Sequence, residues 1–62
     1  MFVGSQAAQE IGLALYSMGV EEEQLAERAS QFAIWRSVVR FLGEETAVAN
    51  VREGYQNRAQ DR

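Results

Sequence analysis

Sixty-two residues make one domain at most, and a chain of this size hides only about 60% of the surface its unfolded form exposes, so its core is thin. Small domains usually gain support from disulfides, a metal or assembly; with neither cysteine nor histidine, a disulfide and a zinc site of the usual Cys/His kind are excluded, and assembly or unusually close helix packing remains. A hydrophobic fraction of 47% and a charged fraction of 24% are those of a globular protein, while a net charge of −3 argues against a broad basic surface for phosphate backbones.

Proline is absent, and Gly19 and Gly43 are the strong breakers. They divide the chain into three predicted helices, at residues 5–18, 21–42 and 44–57, of one all-α domain spanning 1–62. In the first, Ser5 is placed to cap the N-terminus, and Ala8, Ile11, Leu15 and Met18 share a face at helical spacing. Gly19 fits the left-handed position that closes a helix. Gly12 costs about 1 kcal/mol relative to alanine in a helix interior, which implies close approach of a second helix. Leu13 and Tyr16 lie off the Ile11/Leu15 face and indicate a further neighbour.

The second predicted helix opens on Glu21-Glu22-Glu23, carboxylates that suit the positive end of a helix dipole. Its stripe is discontinuous. With Leu25 at zero and about 100° per residue, Leu25, Ala26 and Ala29 fall roughly where the later polar wedge of Arg36, Ser37 and Arg40 falls. The helix either breaks near Ser30-Gln31 or passes its buried face from one neighbour to another. Neither residue is a strong breaker, so one helix over 21–42 is the expectation.

Within it, residues 31–42 carry two apolar stripes, Phe32, Trp35, Val39 and Leu42 on one and Ile34, Val38 and Phe41 on the other. A helix apolar over so much of its circumference belongs inside something, and here a second chain is expected to supply the cover. After Gly43, Ala47, Val48, Val51 and Tyr55 form a shorter amphipathic pattern that Gly54 weakens. Residues 56–62 are polar and expected to fray.

Catalysis requires a nucleophile with a base, a tuned acid/base pair or a metal. Histidine, cysteine and lysine are all missing, no serine lies in a Gly-x-Ser-x-Gly elbow, and the scattered glycines form no phosphate-binding loop. No enzyme, no cofactor and no metal site is expected. No secretory signal is read in Met1-Phe2-Val3-Gly4-Ser5, and no apolar run approaches the roughly 20 residues that span a bilayer, so a cytoplasmic location is expected. The flanking glutamates also oppose an interfacial role for residues 32–42 at anionic lipid.

Glu23-Gln24-Leu25-Ala26-Glu27-Arg28-Ala29 resembles the first helix of the helix-turn-helix in phage-repressor-type DNA-binding domains. That resemblance implies a polar, base-reading helix next, whereas Phe32-Ala33-Ile34-Trp35 follows here and would bring bulky apolar groups to the groove. Met18-Gly19-Val20 is similar to the Met-Gly-Phe loop of ubiquitin-associated domains. The later turn of that fold has no matching Gly or Asn in this chain, and no binding residue carries over.

The expected function is therefore non-catalytic, a helical protein-interaction module that acts as a small regulator or inhibitor of a larger protein and also assembles with itself, a dimer being favoured. Its expected interface is Phe32, Ile34, Trp35, Val38, Val39, Phe41 and Leu42 with Leu13 and Tyr16, rimmed by Arg36 and Arg40, which pair with Glu44 or a partner's carboxylates. Trp35 could equally be a core residue of the single chain. A helix-turn-helix DNA-binding regulator and a self-assembling subunit of a larger particle are the alternatives. Nucleic acid and membrane are not the expected partners.

Overall fold

The computed structural model describes residues 4–60, which form four α-helices and no strand: α1 Gly4–Ser17, α2 Leu25–Ala29, α3 Trp35–Leu42 and α4 Glu44–Gln60, with a 3-10 turn at Glu22–Gln24 leading into α2. The radius of gyration, 10.4 Å, matches the ~10.6 Å of a compact single chain of this length. Ala8, Ile11, Leu15, Val20, Leu25, Ala29, Trp35, Val38, Ala47 and Val51 make one core.

Helices α1 and α4 form the main pair, and two glycines set their separation. A Cβ on Gly12 would overlap the carbonyl oxygen of Val51 and come within 2.7 Å of the Tyr55 amide nitrogen; one on Gly54 would overlap the Gln9 carbonyl oxygen and lie 2.8 Å from the Gln9 Cα. Each glycine therefore admits the backbone of the opposite helix. The expected close approach at Gly12 is present, and Gly54, expected to weaken a helix end, is its counterpart inside α4. Beside this crossing the Gln9 amide donates to Asn50 Oδ1 (3.4 Å) and Glu53 Oε1 (3.1 Å).

The α1 terminus follows the spacing of its residues. Gly19, at φ 81°, donates its amide to the Tyr16 carbonyl and Val20 donates to that of Leu15, the paired bonds of a left-handed helix closure, with Val20 buried beside Leu15. Ser5 lies inside the first turn of α1, not at its cap, because the helix already includes Gly4, which packs beneath Phe41 and Leu42 of α3. Met18, expected on the buried face, falls beyond the last helical residue and is 60% exposed.

The single helix expected over 21–42 is two helices separated by a turn at residues 30–34, so that the chain has four helices where three were expected. In a straight helix Leu25 and Ala29 would point to about 0° and 40°, and Trp35 and Val38 to about 280° and 220°. All four are nonetheless buried in the same core, and the turn brings them into phase. Ser30 starts it. Its hydroxyl donates to the Glu27 carbonyl at 2.6 Å, the group that an α-helix would offer to the Gln31 amide. The Gln31 amide bonds instead to Arg28 and that of Phe32 to Ala29, tighter i to i+3 closures that end α2.

One residue joins α3 to α4. The Gly43 amide donates to the Val39 carbonyl at 2.7 Å to close α3, and its own carbonyl accepts the first bond of α4 from Ala47 at 2.9 Å. It does so at φ 86° and ψ 151°, a conformation essentially confined to glycine. No atom lies within 4 Å of a Cβ added there, so the effect of Gly43→Ala is purely conformational. We expect a loss of about 1–3 kcal/mol, read as a lower midpoint in urea at unchanged slope; an unchanged midpoint would mean that the α3–α4 junction relaxes freely.

Helix α4 runs to Gln60, beyond the expected end at 57, and the Gln56 amide donates to Glu22 Oε2 at 2.8 Å. Asp61 and Arg62, the end of the segment expected to fray, and the first three residues of the chain lie outside the described residues.

Candidate functional site

The turn at 30–34 and α3 border an open groove of about 690 Å³. Its apolar lining comes from Phe32, Ala33, Trp35 and Val39, and its charged lining from Arg36, Arg40 and Glu44. A smaller groove of about 230 Å³ adjoins it, lined by Leu15, Met18, Arg28, Gln31 and Phe32, so the Phe32 ring borders both.

The geometry of α3 explains which side chains reach this surface. With Trp35 at zero, Leu42 and Val38 lie at about 340° and 300°, Val39 at about 40°, Phe41 at about 240°, and Arg36, Ser37 and Arg40 between about 100° and 200°. The core takes the sector around Trp35 and Val38, one residue from each predicted stripe. Val39 and Phe41 flank that sector on opposite sides, with Val39 in the groove and Phe41 over Gly4 at the start of α1.

The expected interface is accordingly divided. Trp35 and Val38 are 9% and 0% exposed and belong to the core of the single chain, whose other helices supply the cover expected from a second one. Phe32, Val39 and Leu42 are half-buried at the core margin. Ile34 and Phe41 are exposed at 45% and 64%, and Leu13 and Tyr16 at 36% and 40%. Leu13 and Tyr16 are on α1, and neither lines the two grooves.

Arg36 and Arg40 lie one helical turn apart at the edge of the groove, exposed, and neither makes an ion pair or hydrogen bond among the described residues. The expected pairing with Glu44 is not made, although all three line the same groove. Together with Arg28 in the adjoining groove, three guanidiniums border this surface against the single carboxylate of Glu44. A chain of net charge −3 thus carries a locally cationic apolar groove.

The acidic end is occupied differently. Glu22 accepts from Gln56 and pairs with Arg52 at 3.6 Å, both partners about half-exposed, an interaction worth about 0–1 kcal/mol. These contacts hold the 3-10 turn against α4. No cluster of carboxylates that could hold a metal ion occurs among the described residues, and no helix there is long and apolar enough to cross a membrane.

Tyr55 has a role that periodicity could not assign. Its hydroxyl donates to the Val20 carbonyl at 2.8 Å, and its ring meets Tyr16 edge to face at 5.2 Å, tying α4 to the end of α1. Desolvation, followed by the charges of Glu22, Tyr16, Glu21 and Glu23, raises the phenol pKa above its ordinary 10.0. The folded chain holds this proton more tightly than the unfolded chain, so the contribution to stability is complete below pH 10 and falls as pH rises through the folded value. Neither lysine nor cysteine, whose side chains ionise near this range, is present. Tyr55→Phe should lower the melting temperature at pH 7 and flatten its decline above pH 10; equal alkaline sensitivity in both proteins would place the effect elsewhere.

Comparison of the chain with protein-family models, with curated proteins and with solved structures finds no match.

Proposed function

We propose that this chain is a non-catalytic protein-interaction module, a small regulator or inhibitor that docks onto a larger protein through the groove between the 30–34 turn and α3. The supporting observation is the concave surface on which Phe32 and Val39 keep apolar area open to solvent beside Arg36 and Arg40, both without intrachain partners among the described residues. Aromatic and arginine side chains dominate the binding energy of most protein interfaces. Ala33 lines the groove and is exposed, which makes it a suitable reporter. A photoreactive amino acid at position 33 should crosslink a larger polypeptide in native cells, whereas one at the exposed Asn57 of α4 should not. Crosslinks equal at both positions, absent from 33, or made only to a second copy of the chain would refute the reading.

A second reading, binding of duplex DNA, is favoured by the order α2, turn, α3 and by the burial of Trp35, which leaves Arg36, Ser37 and Arg40 as the outward polar side of α3. Such binding would weaken steeply with salt and fall on Arg36→Ala. The apolar concavity that Phe32, Ala33 and Val39 form beside those residues fits a polypeptide side chain better than a phosphate backbone.

A further inference from the structure

We infer that the occupant of the groove is an acidic amphipathic helix of another protein, carrying two carboxylates one turn apart beside a large apolar side chain. The inference rests on the docking reading above and adds the chemistry of the partner.

Arg36 and Arg40 are four residues apart on α3, which puts their Cβ atoms about 5–6 Å apart on one face. Two guanidiniums at that spacing match carboxylates at i and i+4 of an opposing helix, each able to accept a forked pair of hydrogen bonds. Between the arginines and the core, the half-buried Phe32 and Val39 offer apolar surface for the side chain that such a helix would present on the same face. Charge selects the occupant further. The groove and its neighbour carry three arginines and one carboxylate, so an apolar segment bearing positive charge would be repelled, and a neutral one would leave the guanidiniums unpaired.

A second copy of this chain fits less well. Its exposed Glu23 and Glu27 have the four-residue spacing, but the large apolar side chains nearby, Val20 and Leu25, are buried and only the small Ala26 is exposed between them, while Glu22 is engaged by Arg52 and Gln56. Leu13 has one exposed carboxylate near it on α1, Glu10, where the arginines require two.

The test is selection of a phage-displayed library of random dodecapeptides on the immobilised full chain, followed by fluorescence anisotropy with the enriched peptides in synthetic form. Arg36→Glu/Arg40→Glu and Val39→Glu serve as comparison proteins, their folding checked by circular dichroism. We expect enrichment of Asp or Glu pairs three or four positions apart around an aromatic or leucine, with binding weakened roughly tenfold or more by the charge reversal. Peptides without acidic pairs that lose binding to Val39→Glu but not to the charge-reversed protein would leave the groove as the docking site and overturn the acidic partner. Peptides indifferent to both changes, or no enrichment at all, would overturn site and partner together. Self-association abolished by the charge reversal would assign the groove to a second copy, and salt-sensitive duplex binding abolished by it would assign the groove to DNA; either overturns the inference.

Discussion

Gly12→Ala should destabilise the protein although alanine is the better helix former. The substitution gains about 1 kcal/mol in helix propensity. Against that gain, the new methyl group meets the Val51 carbonyl and the Tyr55 amide of α4, backbone atoms that cannot rotate away. Forcing extra volume into a close-packed contact costs about 1–3 kcal/mol and occasionally more; here the obstacle is a whole helix, so a net loss of about 2 kcal/mol or more is expected. Single small cores supply only about 3–5 kcal/mol. Gly54→Ala meets the Gln9 backbone and should behave alike, and the double variant should lose less than the sum, because one separation of the helices relieves both overlaps. Gly4→Ala is the contrast, since the atoms nearest its Cβ belong to the Phe41 and Leu42 side chains and not to backbone. Urea unfolding of the four proteins measures all of this, and a more stable Gly12→Ala would show that α1 and α4 part readily.

The larger effect belongs to Trp35→Ala. Truncating a buried tryptophan costs about 3–5 kcal/mol, comparable to the whole stability of a domain this small, and Trp35 packs with Val38 in the core shared by all four helices. The variant should show little helix by circular dichroism at 25 °C, and Trp35→Phe should recover part of it. Arg36→Ala, one residue along and exposed, should stay within about 0.5 kcal/mol of the parent. A Trp35→Ala protein that keeps its helix content and melting temperature but loses self-association would make Trp35 an interface anchor and not a core residue.

Local chemistry was legible in the sequence to the extent that one residue type answers one backbone demand. Gly19 and Gly43 mark closures because their positive φ suits few residues besides glycine, and Gly12 implies close contact because glycine inside a helix otherwise only weakens it. The break after Ala29 was visible only as a conflict of phase between Leu25 and Trp35. Its cause, the Ser30 hydroxyl on the Glu27 carbonyl, is a polar contact that many helical serines also make without ending a helix. The groove was half legible. Phe32, Val39 and the two arginines were marked by type and spacing, but Trp35 was left open between core and interface and Val38 was expected at the interface, until α1 and α4 fixed where the core lies. Tyr55 and Gly54 depend on partners 35 or more residues away, beyond the reach of any local pattern.

The pairing of the first helix with the last also governs how the chain acquires its structure. Contacts such as Gln9 with Asn50 and Glu53 span 41 and 44 residues, so the loop they close is most of the molecule, and its ordering entropy has to be met before the pair returns any stabilisation. Helical domains rich in neighbouring contacts fold fastest, and this topology places the chain at the slower end of its class. During synthesis the Gly12 face of α1 leaves the ribosome without its partner until α4 has followed, and α2 and α3 have no completed surface to settle on in the interval. Docking of α1 is thereby deferred until α4 has emerged, since the Gly12 surface has no other helix backbone to meet.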